Sequence, residues 1–153
     1  MPHIHEKYDF VVLIIIVHDN KVLLVNHPQY SQWMPVGGHI ELDEDPEEAL
    51  FREVQEETGL EVEFLTSKPT ISSSEFRFIL KPNFIDAHDA NPPHKHIAFT
   101  YFAVAKSNMA ARSDEHLDMK WLTEDELEQP EYNLSERVKF YSKEALVLAR
   151  EKV

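Results

Sequence analysis

The sequence predicts an α+β fold: a mixed sheet carrying one helix after a glycine turn and a second at the C-terminus. Three observations point there. Tyr8–His18 and His96–Ala105 are strand-like runs rich in β-branched and aromatic residues. A helix start and stop are both written between Asp45 and Gly59. An apolar stripe at helical spacing lies close to the C-terminus.

The first element follows from Tyr8–His18 and Lys21–Asn26, which flank Asp19-Asn20, a pair that tolerates positive φ; the chain is expected to open as a hairpin. Pro28 and Pro35 mark a loop, and Gly37-Gly38 punctuates the chain. Ile40 and Leu42 then alternate with His39 and Glu41 in a short extended stretch. The helix comes next. Asp45 is a good N-cap, Pro46 suits the first helical position, and Glu48 stands where it can complete a capping box. Gly59 can take the left-handed conformation that ends a helix, so Pro46–Thr58 is predicted helical, about 13 residues long.

Beyond it, Leu60–Leu65 and Phe76–Leu80 read as strands, Pro82–Pro93 as a loop and His96–Ala105 as a strand. Met119–Leu122 reads as extended, and Thr123 with Glu126 forms a capping box for a short helix, Glu124–Glu128. After Pro130, Leu134, Val138, Tyr141, Ala145 and Leu148 share one helical face. No internal repeat or linker interrupts the chain. Its 153 residues, 42% hydrophobic, are expected to form a single domain, 1–153, with its own core.

The formal charge of −13, from 28 acids against 15 bases, disfavours a nucleic-acid polymer or an anionic membrane as partner, because Lys and Arg patches supply most of that affinity. A polyanionic ligand would need a cation between itself and the protein. With no cysteine, any metal must sit on oxygen or imidazole, which makes hard cations the first expectation. The longest apolar run, Phe10–Val17, has eight residues, far below the roughly 20 needed to span a bilayer. The start lacks a basic, cleavable leader pattern, so a cytoplasmic location is expected.

Most of the charge is local. From Glu41 to Glu63 there are eleven acids and one base, Arg52. Glu53, Glu56 and Glu57 stand at i, i+3 and i+4, so three repelling carboxylates share one helix face. Two readings compete: an acidic face that simply faces water, or an oxygen cage for Mg²⁺. Spacing alone leaves both open.

The wider frame decides between them. Gly38-x5-Glu44-x7-Arg52-Glu53-Val54-x-Glu56-Glu57-x-Gly59-Leu60 resembles the full Nudix box, with every defined position matched. Chance agreement of this kind falls below about one in a million at average residue usage. The resemblance implies an α/β/α sandwich with a mixed β-sheet. It implies a Nudix pyrophosphohydrolase of the MutT type, cleaving a phosphoanhydride bond in a small nucleotide with Mg²⁺ or, in its place, Mn²⁺. By the same resemblance Glu53, Glu56 and Glu57 are metal ligands, Arg52 pairs with Glu44, and Gly37 and Gly38 line the cofactor-binding turn. Glu53 and Glu115 are the candidates for taking a proton from water, so the catalytic set is Glu44, Arg52, Glu53 and Glu115. Leu50 and Val54 anchor the opposite helix face to the sheet.

Other features carry less. His94 and His96 lie on one side of a strand and, with His88, raise the possibility of zinc; a substrate-facing or solvent-facing pair is preferred because no third ligand has diagnostic spacing. Trp33, Tyr30 and Phe76 can stack on a base but are read as packing residues. There is no SQPWPFPQS string of the NADH-cleaving relatives. Glu75 and Phe76 stand where ADP-ribose-cleaving relatives often carry proline. The substrate class expected is therefore a nucleoside triphosphate, modified nucleotide or nucleotide sugar, with a homodimer as an open option. The alternative is a catalytically silent ligand-sensing or interaction domain, which usually loses box carboxylates; none is lost here. An isomerase acting on a diphosphate ester is a third reading, disfavoured by the missing cysteine.

Overall fold

The structure is a computed structural model and describes residues 5–27, 32–111 and 118–152. Among these residues the chain runs β1 (Tyr8–His18), β2 (Lys21–His27), β3 (Gln32–Met34), β4 (Val36–His39), α1 (Pro46–Glu57), β5 (Val62–Phe64), β6 (Phe84–Asp89), β7 (Lys95–Ala105), β8 (Asp118–Leu122) and α2 (Glu136–Glu151). Asp19 and Asn20 take φ of 50° and 60°, the mirror-image turn that a tight hairpin requires, and they join β1 to β2.

The sheet is mixed because β1 and β7 pair in parallel from Tyr8↔Lys95 to Val17↔Val104, while the other pairings are antiparallel. Its central path is β3-β2-β1-β7-β5, with β4 on β1, β6 on β7 and β8 on β2. β1 is apolar without alternation because both of its faces are covered. Val12, Ile14 and Ile16 pack with Leu50 and Val54 of α1, whereas Ile15 and Val17 pack with Val138, Tyr141 and Ala145 of α2. The result is the expected α/β/α sandwich.

Both predicted helix signals are present on α1. Asp45 accepts from Glu48 N at 2.9 Å while Asp45 N donates to the Glu48 side chain at 3.2 Å. Gly59, at φ 65°, ends the helix just after Thr58.

The sheet's second half departs from the sequence reading. Phe76–Leu80 is not a strand; it lies in an irregular segment, and Phe76 and Phe78 are exposed. Phe84–Asp89, inside the predicted loop, is instead β6, paired with β7 from Phe84↔Thr100 to Asp89↔Lys95. An edge strand with one exposed face tolerates the Asp and His residues that made it read as loop, and pairing with an established neighbour outweighs its composition. Three smaller differences follow the same logic. Leu42 leaves the sheet and is exposed, since β4 ends at His39. The Thr123–Glu126 capping bonds form but cap only a 3-10 turn, Glu126–Glu128. The final helix starts at the Ser135 N-cap, because Asn133 at φ 45° breaks the chain after a 3-10 turn at Pro130–Tyr132.

Candidate functional site

The three box carboxylates rise from α1 beside the β4 turn. Glu53 is 6% exposed and Glu57 is 3% exposed, while Glu56 keeps half its side chain in solvent. Burial of two carboxylates on one face is unfavourable unless donors meet them. Gly37 N donates to Glu57 Oε1 at 3.3 Å, and Arg52 Nη1 donates to Glu53 Oε1 at 2.9 Å and to Glu56 Oε2 at 3.2 Å.

Arg52 does more than pair with Glu44. Its Nε and Nη2 form the predicted fork on Glu44, at 3.0 and 2.5 Å, and Nη2 also donates to the His39 carbonyl at 3.0 Å. The five bonds match the five N–H donors of a guanidinium. Hydrogen bonding from Arg52 holds the Glu44 carboxyl below its usual value, and the Glu44 fork in turn raises Arg52. Glu44 also accepts from Glu41 N at 2.9 Å, which ties the preceding loop to the helix.

The two glycines have different jobs. A Cβ on Gly37 would meet Val12 O at 2.2 Å, and its φ of 154° lies where side chains rarely fit, so this position is needed by the β1–β4 pairing. A Cβ on Gly38 would meet Glu53 Oε1 at 2.4 Å. The missing side chain at 38 is therefore the space that Glu53 fills. Glu115 lies outside the described residues, as does Tyr30.

Sequence reasoning missed Glu47. It is buried, and Lys68 Nζ at 2.7 Å and Arg77 Nη1 at 3.0 Å neutralise it from the irregular segment after β5. Arg77 also bonds Asp45, so this segment straps the start of α1. No local spacing links positions so far apart. Trp33 packs on the α2-side core edge-to-face with Tyr132 at 6.0 Å, and Lys120 Nζ sits 5.7 and 5.4 Å from the two rings. Phe76 stacks edge-on with Phe78 at 5.3 Å in the exposed segment.

Three comparisons agree with this geometry. Residues 7–143 match the family model described as NUDIX domain. A solved hydrolase of the NUDIX family from Clostridium perfringens superposes with a TM-score of 0.82 at 33% identity, covering 92% of this chain and 97% of that one. A CTP pyrophosphohydrolase of Escherichia coli (strain K12) is 33% identical over 98 residues, 60% of this chain and 73% of that protein. An NAD-capped RNA hydrolase, NudC, of Vibrio atlanticus (strain LGP32) is 32% identical over 93 residues; the match covers 52% of this chain but 35% of that longer protein. A motif set on the matching sandwich, with a family model that covers residues 7–143, identifies the chain as a member of the NUDIX family.

Proposed function

We propose that the chain, acting as one domain over residues 1–153, hydrolyses a phosphoanhydride bond in a small nucleotide: a nucleoside triphosphate, a modified nucleotide or a nucleotide sugar. The observation that carries this reading is the fit of the buried Glu53 carboxylate into the space left by Gly38, with Glu57 held by the Gly37 N–H. Glu53, Glu56 and Glu57 would supply oxygen ligands of the kind that suits Mg²⁺, with Mn²⁺ able to substitute, once their side chains turn toward one cation from the positions they hold here, where Arg52 Nη1 takes an oxygen of Glu53 and of Glu56. When bound, the cation neutralises phosphate oxygens and the charge developing on them.

The chain's own groups supply the rest. Arg52 holds the β4 turn and the loop at Glu44 against α1, so the carboxylates keep their positions. Water attacks phosphorus and the bond to the bridging oxygen breaks, giving a nucleoside monophosphate and a second phosphate compound. The proton leaving that water goes to Glu53 or Glu115. A net charge of −13 favours a small substrate escorted by a cation over a nucleic-acid polymer. Among the described residues no helix is long and apolar enough to cross a membrane. The expectation of a cytoplasmic location is kept as part of the proposal, and the oligomeric state stays open.

A phosphate-release screen with Mg²⁺ across nucleoside triphosphates, nucleotide sugars, ADP-ribose and dinucleoside polyphosphates tests the reading. Turnover of at least one class, abolished by chelation, is expected. No turnover with either Mg²⁺ or Mn²⁺, or turnover that survives exhaustive chelation, overturns it.

A further inference from the structure

A second group of ligand-bearing side chains lies on the sheet, separate from the α1 carboxylates. Asp9 on β1 and His96 on β7 are direct register partners, and His88 on β6 is the partner of His96 on its other side. Strand alternation puts Asp9 on the side of β1 that carries Val11, Leu13 and Ile15, the side that α2 covers further along, away from α1. His94 turns in from the β6–β7 connection and hydrogen-bonds Asp9 Oδ2, and His39 Nε2 approaches the same oxygen at 3.4 Å. The His39, His88 and His94 rings stand nearly perpendicular to His96, at 5.3, 5.3 and 5.9 Å between centroids.

Three imidazoles, His39, His94 and His96, around the Asp9 carboxylate make a poor anion site, since Asp9 repels what the rings would attract. They make a good cation site if the rings are neutral. One ligand atom each from Asp9, His94 and His96 lies within 4.8 Å of the other two. Bonds of about 2.0–2.2 Å to nitrogen and oxygen set neighbouring ligands of a tetrahedral ion about 3.4 Å apart, so small rotations of partly exposed rings close the remaining gap. His88 Nδ1 is bonded to Asp86 Oδ1 at 2.7 Å, which fixes the ring that packs edge-on against His96.

We propose that Asp9, His94 and His96 form a transition-metal site for a Zn²⁺-like ion, with His39 as the candidate fourth ligand. Imidazole nitrogen with a single carboxylate selects a borderline metal, whereas the all-oxygen set on α1 selects a hard one. The two sites meet at His39, whose carbonyl holds Arg52 and whose ring faces Asp9.

The test is calorimetric titration of untagged, chelator-treated protein with Zn²⁺ in the presence of excess Mg²⁺, repeated on His94→Ala, His96→Asn and Glu57→Gln, with folding of each checked by circular dichroism. Wild type and Glu57→Gln are expected to bind one Zn²⁺ with similar affinity and to gain melting temperature. His94→Ala and His96→Asn should each bind at least about a hundredfold more weakly. His94→Ala changes a partly exposed residue outside the strand, so it keeps the test sound if His96→Asn misfolds. Zn²⁺ binding that is absent in wild type, that survives His94→Ala, or that disappears in Glu57→Gln overturns the site. The readout is independent of turnover, so failure of the proposed hydrolysis leaves it intact.

Discussion

Arg52 and Glu44 are joined by a two-point fork, Nε to Oε2 at 3.0 Å and Nη2 to Oε1 at 2.5 Å, and the same guanidinium reaches Glu53, Glu56 and the His39 carbonyl. The one cation in the acidic stretch is thus the common partner of the loop, the turn and the helix.

Arg52→Ala should therefore lose stability as well as rate. Removing one member of a buried pair costs about 3–5 kcal/mol, and partial exposure of Arg52 reduces this to about 2 kcal/mol, a fall in Tm of roughly 4–8 °C. Arg52→Lys should recover little, because a point charge cannot fork. An unchanged Tm with activity lost would move Arg52 from the scaffold to the substrate.

Gly37→Ala and Gly38→Ala should separate folding from chemistry. The first drives a methyl into the β1 backbone at Val12 O and should reduce stability by about 2–4 kcal/mol. The second meets the Glu53 carboxylate first, so it should displace that side chain and lower the rate at least about a hundredfold, with a smaller change in Tm. Thermal scans beside rate measurements decide; equal activity loss with no difference in Tm refutes the distinction.

Glu57→Gln keeps an acceptor for Gly37 N while removing a charge from the carboxylate face. Without metal it should melt no lower than wild type, yet lose roughly three orders of magnitude in rate. Added Mg²⁺ should raise the Tm of wild type more than that of the variant. A fully active variant removes Glu57 from the ligand set.

Asp86 predicts an acid-sensitive contact. Burial raises its carboxyl, but hydrogen bonds from Tyr141, at 2.5 Å, and from His88, with the nearby Arg137 charge, outweigh that and hold it below the usual carboxylate value. A carboxyl with a depressed folded value stabilises above its unfolded value, and that contribution is lost as pH falls through the folded value. Tyr141→Phe should accordingly cost about 1–3 kcal/mol in urea unfolding at pH 7, with the deficit shrinking below about pH 4. A deficit that is the same at pH 7 and pH 3 would assign it to packing instead.

How much of the candidate site could be read in advance depended on sequence distance. Asp45, Glu48 and Gly59 bound α1 through contacts a few residues long, and Glu53, Glu56 and Glu57 share a face because 3.6 residues make a turn. Such relations are complete within one helix, so the chain alone determined them, together with the β1–β2 hairpin set by Asp19-Asn20. What only the tertiary structure decided lies between distant segments. β6 rather than Phe76–Leu80 became the strand because β7 offered a partner to Phe84–Asp89, and no local preference encodes which segment a sheet edge will accept. Glu47 found Lys68 and Arg77, and His94 and His96 found the carboxylate of Asp9, some 85 residues before them, through the parallel register of β1 and β7. Spacing along a chain fixes neighbours on one element, whereas sheet pairing brings together side chains whose separation in sequence carries no period, and that is why a third ligand for the histidines had no signature until the strands were laid side by side.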